Sequence, residues 1–129
     1  MSQAILEHVN YTTKNPQKTA AWMQKVFGWT IRWEGPALND GYTIHIGGDA
    51  FYIALYAPAE APLASSDPHS VQNGLNHLGV IVEDLAATEV AAKALGFVTY
   101  GHADYATGQR FYFKNDSDVE FEIVSYRTD

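Results

Sequence analysis

The pentapeptides Leu6-Glu7-His8-Val9-Asn10 and Leu75-Asn76-His77-Leu78-Gly79 decide how this chain is read, because they set its two halves in register 69 positions apart. Self-similarity at a fixed offset points to an architecture built from copies of one unit. Further matches follow in the same order. A polar break comes next in each half, Lys14-Asn15-Pro16 and Glu83-Asp84-Leu85. An apolar-periodic stretch then stops at a glycine followed by an aromatic, Gly28-Trp29 and Gly96-Phe97, now 68 positions apart, so the second copy has lost one residue. Near the close, Asp49-Ala50-Phe51-Tyr52-Ile53-Ala54-Leu55 lies opposite Ser117-Asp118-Val119-Glu120-Phe121-Glu122-Ile123 at the same 68-residue offset.

Local signals agree on what each copy contains. Asn15 is an N-cap residue, Pro16 suits a first helical turn, and Gly28 fits the residue just past a helix end. Between them Thr19, Trp22, Met23, Val26 and Phe27 recur at helical spacing and form one buried stripe. Asp84 to Gly96 reads the same way, with Leu85, Ala91, Ala94 and Leu95 as its stripe. Short segments rich in β-branched and aromatic residues flank the helices: 5–12, 29–34, 41–46 and 50–56, then 76–82, 97–102, 109–114 and 119–126. Gly47-Gly48-Asp49 reads as a hairpin turn. Each copy is therefore β-α-β-β-β. The chain is expected to be a single α+β domain over 1–129, with module one at about 4–57, a linker at about 58–73 and module two at about 74–127. Pro58, Pro62 and Pro68 among Ala, Ser and Asp give that segment its linker character.

At 129 residues there is room for one ordinary domain, and 47% hydrophobic residues supply its core. Eight Lys and Arg against 15 Asp and Glu leave a formal charge of −7, which argues against nucleic acid and against an anionic membrane surface as partners. The absence of cysteine removes disulfides, thiolate nucleophiles and Cys-based zinc sites. No apolar run approaches the roughly 20 residues of a membrane span, and Met1 to Asn10 lacks a signal-peptide pattern. A soluble cytoplasmic protein is expected.

Alternation along strands says which side chains share a face. Ile5, Val9 and Tyr11 fall on one face of the first strand, to be covered by the helix, and His8 and Asn10 on the other. His77 shares a face with Gly79, opposite Leu78 and Val80. Glu120 and Glu122 point away from Phe121 and Ile123. His8, His77 and Glu122 thus occupy the helix-free face at matching places of a duplicated sheet. Two imidazoles and a carboxylate are a sufficient ligand set for a divalent metal with positions left open for substrate.

Leu6-Glu7-His8-Val9, Val26-Phe27-Gly28-Trp29, Leu75-Asn76-His77-Leu78-Gly79-Val80, Arg110-Phe111-Tyr112-Phe113-Lys114-Asn115-Asp116 and Phe121-Glu122-Ile123-Val124 together resemble the vicinal oxygen chelate superfamily. That is the glyoxalase/bleomycin-resistance/extradiol dioxygenase group. The resemblance spans the chain and implies paired βαβββ modules forming a cupped mixed sheet, with the helices on its outer face. It also implies one divalent ion (Fe, Mn, Zn or Ni) held at up to four positions, which fall here on His8, Ala54, His77 and Glu122. Alanine cannot ligate, and the missing carboxylate argues against glyoxalase I-type proton transfer. The remaining His-His-Glu set is similar to that of extradiol dioxygenases and of fosfomycin-modifying transferases. The resemblance therefore implies a metal-dependent enzyme, dioxygenase-like or lyase/isomerase-like, acting on a small oxygen-rich molecule. A metal-free binding protein of the bleomycin-resistance type is the alternative. Homodimers are common in the group, with modules paired within one chain or exchanged.

Other residues join the candidate site. Arg110 and Tyr112 alternate with Phe111 and Phe113, so Arg110 can clamp an anion and Tyr112 can donate to a developing oxyanion. An ion pair of Arg110 with Glu120 or Glu122 is the plainer alternative. Together with Glu122 they form the expected catalytic group. Tyr52, Tyr56 and Asn10, with Arg110 and Tyr112, form the expected substrate contacts. The segment Tyr105-Ala106-Thr107-Gly108-Gln109 lacks the basic cluster of a fosfomycin-type site. His45 is expected to face away from the cavity, His69 to sit on the linker surface and His102 at a loop edge. Trp22, Trp29 and Trp33 are expected in the core and between modules.

Overall fold

A computed structural model describes residues 2–64 and 66–127. The chain divides into two compact units, Met1–Leu63 and Ala64–Asp129. The first contains β1 (His8–Thr12), α1 (Pro16–Phe27), β2 (Thr30–Ala37), β3 (Gly41–Gly47) and β4 (Tyr52–Ala57). The second contains β5 (Leu78–Ile81), α2 (Leu85–Ala94), β6 (Thr99–Tyr105), β7 (Gly108–Lys114) and β8 (Glu120–Tyr126). Both are βαβββ modules with four-stranded mixed sheets, ordered β1-β4-β3-β2 and β5-β8-β7-β6. In each, the first strand lies parallel to the last and the remaining pairs are antiparallel. The α+β reading and the internal repeat are thus both present in the fold.

The helices start by one device used twice. Asn15 Oδ1 accepts from the Lys18 amide at 3.0 Å, and Asp84 Oδ1 accepts from the Ala87 amide at 3.0 Å. One turn on, the Thr19 and Thr88 hydroxyls donate back to the Asn15 and Asp84 carbonyls. Each cap satisfies amides that a helix leaves without an internal partner. Gly28 closes α1 at φ 71, the left-handed conformation in which its N–H reaches the Gln24 carbonyl.

Helix α1 buries Ala20, Trp22, Met23 and Val26, and it packs on β3 and β4, whose Ile44, Ile46 and Leu55 are fully buried. In module two, Phe111, Phe113, Phe121 and Ile123 are fully buried, and α2 packs on β6 and β8 with Thr88 and Ala92 as its buried residues. That departs from the expected stripe, since Ala94 and Leu95 are exposed. In an alanine-rich helix the hydrophobic pattern discriminates poorly between faces. Trp33 also departs from expectation: it is 51% exposed and lies on the open face of its sheet. The first strand begins at His8 rather than residue 5, in register with Tyr52 at the start of β4.

Glu89 ties α2 to β6. It accepts from the Thr99 hydroxyl and from His102 Nε2 at 2.7 Å, and pairs with Lys93 at 3.5 Å. Desolvation pushes its carboxyl up, but the hydrogen bonds from Thr99 and His102 and the charges of His102 and Lys93 outweigh this and hold it below the ordinary value of 4.5. A depressed carboxyl stabilises the fold fully above its unfolded value and loses that contribution as pH falls through the folded one. Glu89→Gln is therefore expected to unfold at lower urea than the parent above pH 4.5. The gap should narrow steadily as the titration is taken below that pH.

Candidate metal centre and adjoining cavity

The open face of the second sheet gathers the polar groups that alternation assigns to it. His77, one residue ahead of β5, places Nε2 3.0 Å from Glu122 Oε1 on β8. Glu122 Oε2 accepts from Arg110 at 2.5 Å, across the β7–β8 ladder. The plainer reading of Arg110, an ion pair, is what its geometry displays. The guanidinium lies 4.7 Å over the Tyr105 ring. Desolvation opposes its charge, but the Glu122 carboxylate more than offsets this and raises the Arg110 pKa. Tyr112 is the cross-strand partner of Glu122. Burial first, and then the charge of Glu122, raise its pKa, so the hydroxyl stays protonated and can donate.

Both histidines of the repeat are held alike. His8 Nδ1 lies 2.9 Å from Glu7 Oε1, and His77 Nδ1 lies 2.7 Å from Asn76 Oδ1. In the tautomer whose Nδ1–H donates to the preceding side chain, Nε2 carries the lone pair, which for His77 calls for a cation between it and Glu122 Oε1, the arrangement that orients metal-binding imidazoles. The spacing of His77 and Glu122 fits a cation as well. Two bonds of about 2.1 Å meeting at the right angle of an octahedral site leave their donor atoms about 3.0 Å apart. Among the described residues, no group of three His, Asp or Glu side chains converges on one point. The pair His77–Glu122 is what the structure brings together.

His8 stands on the open face of the first sheet at one end of a row of rings. It stacks on Tyr52 at 4.7 Å, Tyr52 stacks on His45 at 4.5 Å, and His45 meets Trp33 edge-on at 5.3 Å. The row takes one ring from each strand, and Arg32 lies 4.9 Å over Tyr52. His45 is thus on the His8 face, contrary to the expectation that it turns away. Ile44 and Ile46 are the residues that α1 covers, which leaves His45 to the other side. Burial, with the charges of His8 and Arg32, lowers the His45 pKa against a smaller opposing effect of Glu7. Tyr52 lies between the two imidazoles, so they do not share a cation. Asn10 is exposed beside Ala54. Tyr56 donates its hydroxyl to the Leu38 carbonyl at 2.7 Å.

A cavity of about 380 Å³ opens beside His77, lined also by His69, Asn76, Tyr100, Tyr112 and Glu120. The linker histidine His69 is not a loose surface residue. Its Nε2 contacts Glu120 Oε1 and the Asn76 carbonyl, each at 3.1 Å. Tyr100 donates to Glu120 Oε2 at 2.5 Å, and its ring stacks with that of Tyr112 at 6.1 Å. Gly101, at φ 66, is required here, because a Cβ would stand 2.7 Å from Tyr112 Cδ1. The sequence carried a signal for one of these residues, since Glu120 shares parity with Glu122, whereas the place of Tyr100 across the ladder from Tyr112 comes from the fold. For His69 it carried none.

A duplicated βαβββ plan with a His–Glu pair on a sheet face defines a two-module α+β protein. The model of the Glyoxalase/Bleomycin resistance protein/Dioxygenase superfamily matches residues 5–123, and the chain belongs to that superfamily. Among solved structures it is similar to a glyoxylase/bleomycin resistance protein/dioxygenase domain from Frankia sp. EAN1pec, at 18% identity and TM-score 0.83, covering 98% of this chain and 94% of that one. It is similar too to a glyoxalase family protein from Enterococcus faecalis, at 16% identity and TM-score 0.74, covering 93% and 96%. The fosfomycin resistance protein FosX from Listeria monocytogenes, in complex with Mn(II) and sulfate, aligns at 15% identity and TM-score 0.71, covering 98% and 95%. No curated protein matches the chain. Among the described residues no helix is long and apolar enough to cross a membrane.

Proposed function

We propose that this chain is a divalent-metal-dependent enzyme acting on a small oxygen-rich molecule, with His8, His77 and Glu122 as the protein ligands. It works as one domain over 1–129, in the cytoplasm, as a homodimer. The observation that carries the reading is the 3.0 Å separation of His77 Nε2 and Glu122 Oε1, with both imidazoles oriented through Nδ1. A bound divalent ion supplies Lewis-acid polarisation of two adjacent substrate oxygens. Arg110 fixes the Glu122 carboxylate, and the protonated Tyr112 hydroxyl donates to negative charge developing on the substrate. Tyr52, Tyr56 and Asn10 contribute contacts from the first module. The reaction is dioxygenase-like if the ion is iron, and lyase- or isomerase-like if it is manganese, zinc or nickel.

The row His8–Tyr52–His45–Trp33 favours a second reading, a metal-free protein that sequesters a ring-bearing ligand. Mass spectrometry of untagged protein separates the two. About one ion per chain, before or after reconstitution, is the expected result, and its element selects the assay: oxygen uptake for iron, isomerase and transferase reactions otherwise. Protein that stays empty with every ion overturns the enzyme and leaves the binder.

A further inference from the structure

The cavity beside His77 has a charge and a wall chemistry of its own. Neither lysine nor arginine lines it, and its lining includes the Glu120 carboxylate, whose side chain is 13% exposed. Among the described residues the one ion-pair partner of Glu120 is His69; Lys114, its cross-strand neighbour, makes no ion pair with it. A carboxylate offers about four acceptor positions, of which His69 and Tyr100 take two. The nearby Asn76 carbonyl is an acceptor as well. The walls are the rings of Tyr100 and Tyr112, inclined by 19° to each other. An anion would meet the like charge of Glu120, with the neutral Tyr112 hydroxyl as a donor but no lysine or arginine to offset it. A cation finds a partly shielded carboxylate flanked by two tyrosine rings, a setting that suits an ammonium group.

We propose that this cavity is an ammonium subsite, and that the substrate carries a protonated amine received by Glu120 beside the Tyr100–Tyr112 ring pair. His69 and Tyr100 hold the carboxylate in place from either side. The inference deepens the reading of His77 and Glu122 as the reacting end, because the amine would anchor a molecule whose oxygens lie toward that pair. It narrows the substrate to a small amine-bearing oxygen compound and disfavours phosphonates and carboxylates.

The test uses two probes that share a phenol ring and differ in the charge of the tail, tyramine and 4-hydroxyphenylacetate. Each is titrated into the metal-free protein while the backbone amide resonances of Gly101 and Glu120 are followed by NMR. Tyramine is expected to shift both amides at a concentration at least tenfold lower than the acid. Glu120→Gln, which keeps acceptors and donors for Tyr100 and His69, is expected to erase that preference while the rest of the spectrum stays unchanged. Equal response to both probes, preference for the acid, no response to either, or a preference surviving in the variant each overturns the subsite. Mn(II) added to the same samples reports on the metal centre separately, by broadening resonances near His77 and Glu122. Metal binding without amine preference refutes the subsite alone. Amine preference without metal binding refutes the enzyme reading alone.

Discussion

Glu122→Ala is expected to leave the protein unable to hold a divalent cation, whereas Arg110→Ala weakens that hold without abolishing it. The two oxygens of Glu122 serve different partners, Oε1 toward His77 and Oε2 toward Arg110. Truncation removes a proposed ligand and leaves the His77 imidazole as the only member of the set in module two. Loss of an outer partner of a ligating carboxylate costs about 10- to 100-fold in metal affinity. The Arg110 variant belongs in that band, and loss of the ligand itself should exceed about 100-fold. Competition of Mn(II) or Zn(II) against a chelator reads both variants beside the parent. Retention of metal by Glu122→Ala would remove this carboxylate from the centre. Parent-like affinity in Arg110→Ala would reduce the ion pair to a structural contact.

Phe113→Ala is expected to produce the largest loss of stability of any single truncation in module two. The ring is fully buried and stacks on Phe97 at 5.2 Å and Phe121 at 5.6 Å, with Phe111 at 6.4 Å along the same strand. The opposing helix presents small side chains, Thr88 and Ala92, which cannot reach into the space a missing phenyl would leave. A buried Phe→Ala change costs about 3–5 kcal/mol where the surroundings cannot collapse. For a chain of this size that lowers the melting temperature by roughly 10 °C or more. Calorimetry or thermal circular dichroism measures it. A shift of only a degree or two would mean that the aromatic column repacks around the gap.

Much of this was legible in the sequence, and the misses have physical causes. The repeat, the helix caps and the helix-free face of His77 and Glu122 could all be read from spacing, because strand alternation and capping are local rules. His45 shows where strand alternation alone falls short. Its alternation with Ile44 and Ile46 was visible, but which face the helix covers is a tertiary fact, and the two isoleucines turned out to be the covered side. The α2 stripe slipped because leucine and alanine can be buried or exposed at little difference in pattern. His69 lay beyond reach altogether. Its bonds to Glu120 and to the Asn76 carbonyl depend on how the segment after Pro68 folds back, and composition alone marks that segment as linker.

The parallel pairing of first strand with last has a kinetic consequence. In each module the ladder His8↔Tyr52 or Leu78↔Phe121 joins residues 44 or 43 positions apart, while the antiparallel hairpins close over much shorter spans. Loop closure over such a distance must be met before the contacts it allows can reward it. The hairpins β2–β3–β4 and β6–β7–β8 are therefore expected to form early, and docking of β1 and β5 at the sheet edge to come late. Since His8 opens β1 and His77 immediately precedes β5, the two imidazoles ride on the last segments to settle in their modules.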